Sequence, residues 1–139
     1  MAVERHTISS GGPYEDVYGY SRAVRIGDLV FVAGTCAQPP DVDGCDAATQ
    51  TAAAIRIIEA ALRDAGATLD DVVRTRIFVV DHDDVDAVLR VHGDVFGSVR
   101  PAATLLRVAG LIDPELLVEI EVDAVISGTV EEDRPTTVR

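Results

Sequence analysis

Three acids alternate along "LLVEIEVDAVI" (116–126): Glu119, Glu121 and Asp123. Successive side chains of a strand point to opposite faces. These acids therefore share a face with Leu117 and Val125, whereas Leu116, Val118, Ile120, Val122, Ala124 and Ile126 make the other face wholly apolar. The chemistry on offer is ionic, because three carboxylates in a row repel one another unless water or cations intervene. Arg74 and Arg76, on one face of "DVVRTRIFVV" (71–80) beside Val72, Phe78 and Val80, supply cations. A planar guanidinium pairs with a carboxylate through two parallel bonds. A face that mixes such pairs with large apolar groups reads as one covered by another subunit.

Other reactive residue types form weaker patterns. "DHDDVD" (81–86) resembles a calcium loop only in its acids, because the sixth and twelfth positions, which want Gly and Glu, hold Asp86 and His92. Acids at a helix N-terminus, serving capping and the macrodipole, are the simpler reading. Cys36 and Cys45 do not have zinc-site spacing and read as free thiols. No phosphate-binding glycine loop or nucleophile elbow occurs, and neither a metal nor a cofactor is expected.

The elements that must position these groups follow from periodicity. Tyr20–Ile26 and Leu29–Ala33 read as strands around Gly27-Asp28, after a loop at 9–18. Ala47–Ala65 is the clearest helix, with Ile55, Ile58, Leu62 and Ala65 as its stripe and Gly66 beyond its end. A second helix covers about 84–96, capped by Asp83 or Asp84, with Val85, Val88, Leu89, His92, Val95 and Phe96 inward. His92 on that stripe reads as a hydrogen-bonded core residue. Strands at 71–80, 101–108 and 116–126 complete a β-β-α-β-α-β-β order, which suits one sheet with both helices on one face. The chain of 139 residues is expected to be a single domain with a core at about 17–126 and a polar tail at 127–139.

A net charge of −12, with 24 acids against 12 arginines and no lysine, disfavours a phosphate-backbone partner, so no nucleic acid is expected. No apolar run is long enough to span a membrane, and no secretory signal opens the chain, so the expected location is cytoplasmic.

Four segments together resemble the YjgF/RidA family of reactive-intermediate deaminases, also called L-PSP endoribonucleases. They are "YSRAVRIGDLVFVAGT", "QTAAAIRIIEAALRDAGATLDDVVRTRIFVVD", "RPAATLLRVAGL" and "LVEIEVDA". The resemblance implies a chorismate-mutase-like α/β fold and a homotrimer whose sheets line a central barrel. It also implies small-molecule clefts between subunits. In deaminating members an arginine grips the substrate carboxylate while a glutamate positions the water that attacks a C=N carbon. By this resemblance the glutamate is Glu119 and a tyrosine beside the cleft is Tyr20.

The arginine position, third in a Pro-Ala-Arg triplet, is Ala103 here, within Pro101-Ala102-Ala103. Losing a desolvated, charge-assisted pair costs on the order of 2–4 kcal/mol, about 30- to 1000-fold. Thr35 also stands where the family commonly has Gln. Either another arginine enters the cleft, with Arg22, Arg76 and Arg107 as candidates, or the ligand lacks that carboxylate and Thr35, Thr104 and Glu119 read other polar atoms. A divergent imine or enamine hydrolase and a non-catalytic metabolite-binding trimer both remain open.

Overall fold

The computed structural model describes residues 2–127. The expected tail falls mostly at 128–139, outside the described residues. The strands are β1 (Arg5–Ile8), β2 (Ala23–Ile26), β3 (Leu29–Thr35), β4 (Val72–Val79), β5 (Ala102–Arg107) and β6 (Val118–Val125). The helices are α1 (Tyr14–Tyr18), α2 (Ala47–Asp64) and α3 (Val85–Phe96). All the expected strands and both long helices are present. β1 and the short α1 are additions; α1 falls inside the stretch expected to be a loop.

Among the described residues the strands form one sheet in the order β1-β2-β3-β6-β4-β5. Only β4 and β5 pair in parallel, and α3 makes the crossover between them. The two long helices lie on one face. Ala54, Ile58 and Leu62 of α2, with Val88 and Phe96 of α3, pack on Val30, Val32, Ile77, Val79, Val118, Ile120 and Val122.

Local chemistry fixes the ends of α2. The Asp46 carboxylate caps it by accepting the Thr49 N–H at 2.8 Å. Beyond its last turn Gly66 takes φ +85°, and the Arg25 guanidinium donates to the Ala65 carbonyl at 2.8 Å. A Cβ on Gly66 would lie 2.7 Å from that guanidinium, so glycine serves both turn and approach. At α3 the expected cap moves. Asp84 occupies the N-cap position without a side-chain bond, whereas Asp81 accepts the Asp83 N–H at 2.9 Å and caps a short 3₁₀ turn in front. Leu89, expected to face inward, is exposed.

Two β-bulges set the register. From Val32↔Val122 to Thr35↔Ile120, β3 advances three residues while β6 advances two. From Val72↔Ala124 to Arg74↔Asp123, β4 likewise carries one extra residue. The second bulge turns Val72 into the core, correcting its expected place beside Arg74 and Arg76.

The face away from the helices carries Glu119, Glu121 and Asp123, as the alternation predicts. It also carries Phe31 and Leu106, 44% and 52% exposed.

Candidate functional site

Glu119 leaves β6 on the open face and lies across the far end of β3. Its Oε2 is 3.0 Å from where a Cβ on Gly34 would stand, so any larger residue there would push the carboxylate aside by a few tenths of an ångström. Its Oε1 accepts a hydrogen bond from the Cys36 thiol at 3.3 Å. Burial, reinforced by the Glu119 charge and by that bond, pushes the Cys36 thiol up to about 12.

Arg22 holds the bulge that shapes this end. Its Nη2 donates to the carbonyls of Ala33 and Gly34, each at 2.8 Å, and to the Thr35 hydroxyl at 2.7 Å. Its Nε is buried with no partner among the described residues. Burial pulls the guanidinium below its ordinary pKa, opposed by the nearby Tyr20, Glu15, Cys36 and Glu119. The Thr35 hydroxyl is fully buried and donates in turn to the Ala33 carbonyl at 2.7 Å. Within one chain the Thr35 hydroxyl thus serves as a fastener of the bulge.

Tyr20 is about half exposed at the rim, its backbone N–H on the Glu15 carbonyl at 3.1 Å. The Glu15 carboxylate organises the preceding loop by accepting from the Ser10 hydroxyl and the N–H groups of Ser10 and Gly12. Those bonds, the Ser10 hydroxyl's above all, hold its carboxyl below the usual range.

The remaining candidates lie elsewhere in the chain. Arg76 donates to Glu121 at 3.1 Å and to Asp123 at 3.4 Å, and Arg74 stands 4.0 Å from Asp123. This cluster matches the ionic pairing expected from the sequence. Half-exposed pairs of this kind contribute about 0–1 kcal/mol to one chain. Thr104 is exposed beside Arg76 in register. Ala103 pairs with Thr75, whose hydroxyl meets His92 Nε2 at 2.9 Å beneath α3. Ala103 is thus on the helix side of the edge strand and does not share a face with Glu119. His92 is hydrogen-bonded as expected but only partly buried rather than in the core, and that burial lowers its pKa.

One chain therefore gathers Glu119, Arg22 and Thr35 at one end, with Tyr20 at the rim, and leaves Arg76, Thr104 and Ala103 apart. Sequence reasoning missed Gly34 and Cys36. The signal for both was parity, but it is readable only once the β3 bulge is known.

A six-stranded sheet backed by two helices, with a carboxylate on its bare face, defines the class. The sequence pattern of the Endoribonuclease L-PSP family matches residues 14–126. Rv2704 from Mycobacterium tuberculosis, described as a member of the YjgF/YER057c/UK114 family, superposes with a TM-score of 0.82. It is 52% identical, over 88% of this chain and 100% of that one. An uncharacterized protein of Streptomyces coelicolor is 44% identical over 88% of this chain and 92% of its own length. The 3-aminoacrylate deaminase RutC of Acinetobacter baylyi is 34% identical over 73% of this chain and 82% of its own. The chain belongs to the Endoribonuclease L-PSP family, the group also called YjgF.

Proposed function

We propose that this chain is a C=N hydrolase acting as a homotrimer, with Glu119 as the group that places and deprotonates the attacking water. The observation that carries the reading is the setting of that carboxylate. It lies on the open face, its Oε1 is held by a thiol, and no described group donates to Oε2. The relative named 3-aminoacrylate deaminase supports C=N chemistry on this fold.

The balanced reaction is R₂C=NH + H₂O → R₂C=O + NH₃; an enamine enters as its imine tautomer. Glu119 takes a proton from water as the oxygen bonds to carbon, and the nitrogen is protonated. The carbinolamine then loses ammonia, its hydroxyl proton leaving as the carbonyl forms.

Substrate choice follows from the guanidinium groups. Ala103 offers no cation. Arg22 Nη2 is committed to the β3 bulge and Arg76 Nη1 to Glu121 and Asp123. Arg107 lies at the opposite end of β5 from Ala103, about 13 Å away at strand rise. The preferred imine is therefore one without an α-carboxylate. Small uncharged imines, read by Glu119, by Thr104 of a neighbouring copy and by Tyr20, fit this cleft. Phe31 and Leu106 on the bare sheet face support its burial between copies. The blank at Ala103 also favours a second reading, a trimer that binds a metabolite and returns it unchanged.

The test generates imines in situ with an amine oxidase and follows carbonyl release. Wild type is expected to accelerate release, and Glu119→Gln to abolish the acceleration with its melting temperature unchanged. A wild type that accelerates nothing, while a metabolite shifts its melting temperature, would favour the binding trimer.

A further inference from the structure

We propose that Cys36 is a positioning residue for Glu119: its S–H fixes Oε1 and leaves Oε2 as the oxygen that handles water. The inference rests on the reading of Glu119 given above.

Without the bulge in β3, Thr35 would stand level with Glu119. The extra residue pairs Thr35 with Ile120 instead, and one step further brings Cys36 beside Glu119. Gly34 and Cys36 then share the open side, and both touch the carboxylate: Gly34 by having no Cβ, Cys36 by its thiol. Arg22 ties down the two bulge carbonyls and the Thr35 hydroxyl, so the parity change is held from the other side.

The thiol donates and does not attack. Burial and the Glu119 charge keep it protonated, whereas nucleophilic chemistry needs the thiolate. Cys45, in contrast, lies near the carbonyls of Pro40 and Asp43, away from Glu119.

Two measurements test this, one of them independent of turnover. In a Cys45→Ser background the infrared S–H stretch reports Cys36 alone. It is expected below the frequency of an unbonded thiol and should rise in Glu119→Gln, whose neutral amide is a weaker acceptor. A band that does not move between the two proteins overturns the proposal. In the imine assay, Cys36→Ala is expected to lower kcat about tenfold with KM changed less than about threefold, as for a contact used in the transition state. Cys36→Ser, which keeps a donor, should recover most of the loss. A Cys36→Ala protein with wild-type kcat also overturns the proposal. If wild type hydrolyses no imine, it is the functional reading that fails, and the S–H band alone decides the contact.

Discussion

At Glu119 three neighbours divide the work: Gly34 leaves space, Cys36 binds one oxygen, and Arg22 holds the backbone that presents both. The protonated Cys36 thiol makes a pH prediction. Alkylation consumes thiolate, and with the thiol at about 12 the rate should climb tenfold per pH unit from pH 7 to about 11. A free cysteine levels off near its pKa of about 8.5. Alkylation of the Cys45→Ser protein measures this, and a plateau below pH 10 would show an unburied thiol. The same shift is linked to stability. Below about pH 7.5, well under the unfolded value of about 8.5, the thiol is protonated folded or unfolded and contributes no pH dependence. Above it the unfolded chain ionises first, so folding stability falls until about pH 12.

Among the elements, β6 is the one whose placement matters most, and α2 helps to fix its start. Fully buried Gln50 accepts the Leu117 N–H at 2.9 Å and donates to the Glu115 carbonyl at 3.0 Å. Gln50→Leu leaves both backbone groups unpaired and is expected to cost about 2–4 kcal/mol in urea unfolding. A loss under 1 kcal/mol would mean that water replaces the amide. The strict alternation of 118–124 made the faces of β6 readable, and the stripe of α2 gave its buried side. Neither bulge was readable, because an inserted residue leaves no mark in an apolar–polar pattern. Hence plain alternation puts Val72 on the wrong face and leaves Cys36 without a visible partner. β1 and α1 were missed because "RHTI" and "YEDVY" are too short to show a period. Glu119 was legible because the family resemblance and the strand parity agree on it.

For the molecule as a whole, the bare sheet face is the main asymmetry. One side of the sheet is sealed by helices, and the other carries Phe31, Leu106 and an Arg–carboxylate cluster. Sedimentation is expected to give three times the chain mass of 14.8 kDa. Phe31→Glu, at a side chain 44% exposed in one chain and level with Asp123, should give a folded monomer. A Phe31→Glu trimer of unchanged stability would remove this face from the interface.

The central claim is that this family member works at Glu119 without a carboxylate grip. The most direct measurement compares kcat/KM for a carboxylate-free imine and an α-carboxylate imine, in wild type and in Ala103→Arg. The account predicts that wild type prefers the carboxylate-free imine, and that Ala103→Arg, whose long side chain can round the exposed edge strand towards a neighbouring copy's cleft, gains about 30-fold or more on the other. A wild type that hydrolyses the α-carboxylate imine at least as fast, with no gain from Ala103→Arg, would contradict it.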